Sequence, residues 1–347
     1  MFNPQYQITN NILKNIGQIE AAKEVIADAP LLPLWEKQFR EDAIVRTAHH
    51  GTHVEGNQLN FTEAKNVLHG MDVIGRPRDV QEVINYRKTL SLIEDEFDRQ
   101  VERITEALIK KIHKVVIANI LPEEETGIYR TKSVIIRNSQ TWEVTFRPPE
   151  SIEVPFLMRE FVYWLNKATD EEVHPVIKAG IAHHEVVRIH PFIDGNGRIA
   201  RAMSTLILYL GNYDIRKFFS LEEYYDQDPI SYYNFLQKGS VGDTTSWLEY
   251  FTLGVSIEFN RIKQKILKLS KDQTLKSRLG GKQIFLTERQ VKVIEYIQQI
   301  GFLQNQSFKE IVKDVSEDTV LRDLKELVDH GIIRKVGKTK AARYVMV

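Results

Sequence analysis

"HPFIDGNGRIAR", running from His190 to Arg201, gathers a histidine, an aspartate, two glycines around an asparagine and two arginines. A helical i, i+4 metal pair of His190 and Asp194, with His183 or His184 above it, needs an unbroken helix, and Pro191, Gly195 and Gly197 argue against one. The stretch reads instead as a helix ending near Ile189, a loop, and a new helix that starts at Gly195 to Gly197 and carries Arg198 and Arg201 on its first turns. A glycine-rich helix start is an anion site, because free N–H groups and the positive dipole end face the ligand and the arginines add charged donors. Phosphate is the expected guest. Asp194 cannot itself favour an anion, so its role is to hold a divalent cation that bridges phosphates. His190 is then placed as a general base beside the phosphoryl centre. Turn formation accounts for the aspartate, glycines and asparagine but has no need of two arginines a helical turn apart. The pattern G-x-x-x-x-G-K-[ST] is absent from the chain, which excludes a P-loop.

Outward from this stretch most of the sequence reads helical. In "VPFLMREFVYWLNKA", Val154, Leu157, Met158, Phe161, Val162 and Leu165 share one face, as in an amphipathic core helix. "SVIIRNSQTWEVTF" breaks the pattern with two β-prone runs around Asn138-Ser139-Gln140, so a hairpin is expected over 133–147. From Arg261 to Lys282 there are eight Lys or Arg and one Asp, ending at Gly280-Gly281, which marks a basic helix running into a linker. Beyond it, "LTERQVKVIEYIQQIG", "SFKEIVKDV" and "SEDTVLRDLKELVDHG" predict three short helices, followed by two strands around a basic turn, the order of a winged helix-turn-helix. The expected fold is mainly α, a helical bundle with a small β-hairpin and a C-terminal winged helix.

The chain of 347 residues has room for two or three domains. Its 47 basic and 47 acidic residues cancel, so net charge names no partner. With no cysteine, any metal must be held by oxygen or nitrogen ligands. No apolar stretch approaches the roughly 20 residues needed to cross a bilayer, and the N-terminus lacks a basic segment followed by an apolar run, so a cytoplasmic protein without membrane partners is expected.

The stretch from His190 to Arg201 resembles the signature of Fic-domain proteins, H-P-F-x-D/E-G-N-G-R-x-x-R, at every fixed position. "GIYRTKSVIIRNSQTWEVTFRPPESIEVPFLMREFVYWLN" resembles the family's flap hairpin and following helix, and "EYYDQDPISYYNFL" its later segment, so the likeness covers roughly residues 30 to 260. It implies a Fic-type helical bundle with 111–260 as catalytic core and 1–110 as an N-terminal helical region, while the charge run and element order set 261–284 as the basic helix and linker and 285–347 as the winged helix. It also implies an adenylyltransferase that moves AMP from ATP to a Ser, Thr or Tyr hydroxyl of a target protein. By resemblance, His190 takes the hydroxyl proton, Asp194 binds Mg²⁺, Gly195, Asn196 and Gly197 cradle phosphates, Arg201 holds the γ-phosphate and Arg198 is a further phosphate contact. In the tyrosine segment, where many relatives carry Asn in place of Asp228, the resemblance implies adenine contact by Tyr232 or its neighbours, with core packing as the equal alternative.

"GTHVEGN" resembles the inhibitory [S/T]-x-x-x-E-[G/N] helix of the family, here expected over about 34–57, whose glutamate pairs with the second arginine and blocks the γ-phosphate position. Glu55-Gly56 fits; Gly51 departs, with Thr52 one place late. Read locally, Gly56-Asn57 is a C-cap pair and Glu55 the helix's last charged residue. A target protein is expected along the flap by strand addition. From Leu286 onward there are 11 basic and 9 acidic residues, five of the basic ones (Arg334, Lys335, Lys338, Lys340, Arg343) at the wing, which leaves open DNA binding and homodimerisation. Alternatives to AMP transfer are a DNA-binding regulator with a nucleotide-sensing Fic domain, and an enzyme that removes AMP or transfers another phosphate-linked group.

Overall fold

The computed structural model describes residues 2–29, 33–101, 103–137, 144–169, 172–240, 242–270, 286–304, 307, 315–337 and 343–347. The chain divides into two units, Met1–Asp28 with Trp35–Gln264 and Ala29–Leu34 with Lys265–Val347. In the first lie α1 (Asn10–Asp28), α2 (Pro33–His53) from Trp35 onward, α3 (Phe61–Leu68), α4 (Pro77–Asp98), α5 (Glu106–Val116), α6 (Val154–Lys167), α7 (Pro175–Ile189), α8 (Asn196–Leu210), α9 (Glu222–Gln227), α10 (Pro229–Gly239) and α11 (Thr245–Ser270) as far as Gln264. Helices expected in a separate N-terminal region and in the core thus share one unit.

Local chemistry sets the boundaries. Proline occupies the first turn of α4, α6, α7 and α10, where its missing N–H goes unneeded. Asn60 and Glu63 close a capping box at α3, and the Thr105 hydroxyl caps α5. In α6 the face read from the sequence is turned inward, with Val154, Met158, Phe161 and Leu165 buried and Leu157 and Val162 half-buried.

α7 and α8 form the centre. Most residues of both are buried and none is exposed, and α8 also packs against α4 and α5. Gly180 lets α11 approach α7: a Cβ there would lie 2.8 Å from the Leu248 side chain, while Trp247 Nε1 donates to the Gly180 carbonyl at 2.8 Å. Replacing such a buried Trp by Ala costs about 3–5 kcal/mol, so the α7–α11 seam is a main support of the loop that leaves α7.

The hairpin forms as β1 (Ile136–Arg137) and β2 (Val144–Phe146), antiparallel, with Ile136 opposite Phe146 and Arg137 opposite Val144. Its expected turn, Asn138-Ser139-Gln140, lies outside the described residues.

In the second unit, α12 (Glu288–Ile300) starts with a capping box of Thr287 and Gln290, and Gly301 caps its end at φ 91°. α13 (Glu317–Asp329) follows, and β3 (Leu303–Gln304), β4 (Ile333–Val336) and β5 (Arg343–Met346) form an antiparallel sheet in the order β3-β5-β4. Val293, Ile297, Leu303, Leu324, Leu327 and Ile333 belong to one buried cluster. The two-residue β3 was not expected from the sequence. The middle helix expected from "SFKEIVKDV" falls almost wholly outside the described residues, as do the linker from 271 to 285 and the wing turn.

Candidate active site

α7 ends at Ile189, and His190 caps it in the left-handed region at φ 52°, its N–H on the Val186 carbonyl at 3.0 Å. That conformation turns the chain out of the helix and into the loop. The Asn196 side chain closes the loop, its Oδ1 accepting from the Phe192 amide at 2.9 Å and its Nδ2 donating to the Phe192 carbonyl at 2.8 Å. His113 stacks on buried Phe192, ring centroids 4.0 Å apart, so the loop has a packed floor. Arg130 holds the other side, donating from Nε to the His190 carbonyl at 2.7 Å and from Nη2 to the Pro149 carbonyl at 2.5 Å. One guanidinium therefore fastens the loop to the chain on either side of the hairpin, at Lys132 and Pro149.

His190 Nδ1 faces the Val187 carbonyl at 3.4 Å. A proton assigned to Nδ1 on that ground leaves the lone pair on Nε2. Burial lowers the His190 pKa to about 4, against the opposing pull of the Val187 carbonyl, so the ring is neutral at pH 7 and can accept a proton.

Gly195, at φ 77°, precedes α8, whose first turn has no side-chain cap. A carboxylate stands at that open helix start. Glu55 Oε1 lies 2.5 Å from Arg201 Nη2 and Oε2 lies 3.0 Å from Arg198 Nε. A Cβ on Gly197 would run into Glu55 Oε1, so the glycine is what allows an oxyanion this close to the backbone. Arg198 also faces Glu82 and Asp194, each at 3.3 Å, and Arg201 donates to the Gly51 carbonyl at 2.7 Å. Burial opposes the charge of Arg201, but Glu55 and the surrounding tyrosine oxygens outweigh it and raise its pKa.

Glu55 lies in the turn beyond α2, which ends at His53; the sequence reading that carried the helix to about 57 is corrected. Gly56 takes φ 96°, with its N–H on the His53 carbonyl at 2.8 Å. The turn is held from outside: Tyr233 donates to the Val54 carbonyl at 3.1 Å and Arg76 to the Gly56 carbonyl at 3.0 Å. The Gly51 departure has a steric reason. A Cβ there would lie 2.5 Å from the Tyr86 ring and 3.1 Å from Glu222, which are themselves joined by a 2.9 Å hydrogen bond.

Asp194 sits at the rim. Its Oδ2 accepts from Arg78 Nη2 at 2.6 Å and its Oδ1 from the Gly195 amide at 2.5 Å. Burial would raise its pKa, but Arg198, Arg78 and that amide outweigh it and keep the group ionised. Tyr232 requires a correction: it is 1% exposed, stacks on Tyr225 at 4.5 Å and shares a 2.9 Å hydrogen bond with His183 Nε2, so its ring offers no face to a base. Its hydroxyl backs Arg201 at 3.5 Å instead.

Residues 103–208 match the Fic/DOC family, and residues 289–337 match the DeoR-like helix-turn-helix domain. The chain carries a Fic domain. Its curated relatives include "Protein adenylyltransferase Fic" of Drosophila grimshawi, 28% identical over 219 residues (62% of this chain, 42% of that one), and of Culex quinquefasciatus, 25% identical over 242 residues (68% and 45%). The chain thus spans less than half the length of these relatives. A Fic family protein from Desulfovibrio desulfuricans shares the fold over 100% of this chain and 98% of that chain, with TM-score 0.67 and 24% identity. A Fic domain containing signaling protein from Bacteroides thetaiotaomicron covers 76% of this chain and 97% of its own, with TM-score 0.61 and 22% identity.

Six of the positions read from the sequence, His190, Asp194, Gly195, Gly197, Arg198 and Arg201, converge in the Fic domain with Glu55, whereas the Asn196 side chain is engaged in the loop. The sequence reading assigned no role to Arg130, Arg78 or Glu82. Arg130 lay within the quoted flap stretch, but a lone arginine beside Lys132 carries no mark of the four carbonyls it binds. For Arg78 and Glu82, four apart on α4, the signal available was helical spacing only.

Proposed function

We propose that the chain is a protein adenylyltransferase that transfers AMP from ATP to a hydroxyl of a target protein and is inhibited by its own Glu55. The observation that carries this reading is the Glu55 carboxylate spread across Arg198 and Arg201 at the uncapped start of α8, the seat built for an anion. In the inhibited state that seat is filled, so the γ-phosphate meets engaged arginines and a like charge. When the Glu55 turn withdraws, Arg201 and Arg198 hold the β- and γ-phosphates and the first N–H groups of α8 add dipole stabilisation. His190 Nε2 takes the proton of the incoming hydroxyl, the oxygen bonds to the α-phosphorus, and the bond to pyrophosphate breaks. Pyrophosphate leaves with its charge held by the arginines.

Asp194 fits a magnesium ligand: it is ionised, partly exposed and at the rim where phosphates would arrive. Mg²⁺ takes one or two carboxylates plus phosphate oxygens, and when bound it would neutralise charge developing on them. Arg78 must first release Asp194. A target segment would add as a strand to the β1–β2 edge, where exposed Ile135 and Val144 offer apolar contact.

Self-modification with labelled ATP and Mg²⁺ tests the reading. Weak labelling of the wild type and strong labelling of Glu55→Gly support it; equal labelling makes Glu55 only a turn residue.

The helix-turn-helix match supports a second role in DNA binding. Arg322 and Lys325 on α13 and Arg334 and Lys335 on β4 are exposed and would contact phosphates. Binding by the full chain should weaken steeply with salt, and no affinity at low salt would reassign this unit to protein contacts. Among the described residues no helix is long and apolar enough to cross a membrane.

A further inference from the structure

The last turns of α2, just before Glu55, carry three histidines that the proposed chemistry does not use. His49 and His53, four apart, stack at 5.4 Å with their planes 19° apart, and the His50 ring stands 4.6 Å from His49. Asp226 of α9 meets them from across the fold: Oδ2 lies 2.7 Å from His50 Nδ1 and Oδ1 lies 2.7 Å from His53 Nδ1. The cluster runs from the interior to the surface, with the Asp226 side chain 6% exposed, His49 7%, His50 19% and His53 50%.

Hydrogen bonding explains only part of this arrangement. Asp226 satisfies one nitrogen each of His50 and His53, but His49 Nδ1 is buried with no hydrogen-bond partner among the described residues. Buried polar nitrogens are rarely left in that state. A ring nitrogen of His49, one of His50 and a carboxylate oxygen of Asp226 all lie within 4.8 Å of one another. Ligand atoms about 2.0 Å from a common tetrahedral zinc lie roughly 3.3 Å apart, so small side-chain rotations would bring these onto one ion. With no cysteine in the chain, the donor set is imidazole and carboxylate, the set suited to zinc, cobalt and nickel.

The geometry points to a second metal site, distinct from Asp194, in which His49, His50 and Asp226, with His53 as the adjacent fourth donor, bind a divalent transition cation of the zinc class. Such an ion would tie the end of α2 to α9. Because Glu55 follows His53 by two residues, the ion would also hold the Glu55 turn over Arg198 and Arg201. That consequence rests on the inhibitory reading given above; the site itself does not, and metal uptake tests it independently of any activity.

The probe is Co²⁺ added to the full chain, followed by removal of free metal, elemental analysis and a visible spectrum. One cobalt per chain, intense visible bands of a low-coordinate ion, and their loss on adding Zn²⁺ are expected. Asp226→Asn and His50→Gln both keep hydrogen-bonding capacity across the α2–α9 contact while removing a ligand, and each should weaken uptake at least tenfold. A folded wild type that retains no cobalt overturns the proposal, and so does undiminished affinity in the folded double variant. If the site binds as expected, Zn²⁺ should also lower labelling of the wild type but not of Glu55→Gly. Binding without that difference would retain the metal site and remove its link to inhibition.

Discussion

Glu55 and Asp194 approach Arg198 from two sides, and the two sides are built differently. On the Glu55 side the arginines are 2% and 1% exposed and the carboxylate 22%. On the Asp194 side the second partner is Arg78, 55% exposed, with Asp194 itself at 29%. Breaking a buried pair strands a charge and costs several kcal/mol unless another anion replaces the one lost, whereas an exposed pair contributes about 0–1 kcal/mol. On the proposed inhibitory reading the buried side would act as the barrier to nucleotide use and the exposed side as a latch that solvent already competes with; an anionic phosphate would open the first at Arg201 and a cation the second at Asp194.

Both sides are read through the chemistry of His190, so the largest expected effect is there. In a Glu55→Gly background, His190→Ala should lower the rate of AMP transfer by about 10² to 10⁴, the usual share of a general base, while ATP affinity stays within about twofold. Single-turnover labelling and nucleotide titration separate the two quantities; unchanged transfer would remove His190 from the mechanism.

Glu55→Gly breaks the buried side directly. If the blocked arrangement is favoured by about 1.4 to 2.8 kcal/mol, labelling should rise roughly ten- to a hundredfold, and adding Arg201→Ala should bring it back down. The apo variant should melt below wild type, because Arg201 loses its carboxylate and is left with neutral partners such as the Gly51 carbonyl and the Tyr232 hydroxyl, and ATP should raise its melting temperature more than it raises that of the wild type. An equal ATP response in the two chains would mean that Glu55 does not occupy the phosphate seat.

How much of this could be read beforehand depended on sequence distance. The loop and helix start were legible because the anion seat lies between His190 and Arg201, and the glycines, the uncapped start and the arginines each have a local meaning. The pairing of Glu55 with Arg201 came from likeness to a family, since residues 146 apart leave no local signal of contact. Gly51 looked like a defect in the inhibitory pattern because the groups that demand it, Tyr86 and Glu222, arrive from α4 and α9. Tyr232 was misplaced for a similar reason: a tyrosine-rich helix reads equally as a base platform or as core, and the partners Tyr225 and His183 decide for core. The short β3 carried too few residues for any period to show.

Acid should loosen the frame on which both sides rest. Burial lowers the pKa of His113, His184 and His190 from 6.5 to about 4. Their folded values lie below their unfolded ones, so the unfolded chain binds more protons between those limits. Their contribution is fully present above pH 6.5 and is lost as pH falls toward 4, at about 1.4 kcal/mol per pH unit for each group. Melting temperature should fall through that window, and His184→Gln should flatten the slope. A melting temperature that stays level from pH 6.5 to 4.5 would mean these imidazoles are charged in the fold.

The smallest effect is expected on the exposed side, and it decides whether Arg78 is a latch at all. Arg78 engages one Asp194 oxygen at 2.6 Å and Glu82 at 3.0 Å, and more than half of its side chain is in solvent. A magnesium ion that needs the Asp194 carboxylate must displace it. Removing Arg78 should therefore lower the Mg²⁺ concentration for half-maximal labelling, by at most about fivefold, because an exposed pair holds no more than about 1 kcal/mol. The measurement is a Mg²⁺ titration of Arg78→Ala and Arg78→Lys in the Glu55→Gly background, where the buried side no longer limits the rate. Lysine keeps a charge near Asp194 without the planar fork and should fall between alanine and wild type. A requirement that rises instead would place Arg78 on the phosphates in the working state, which would make the exposed side part of the seat rather than a competitor for its cation.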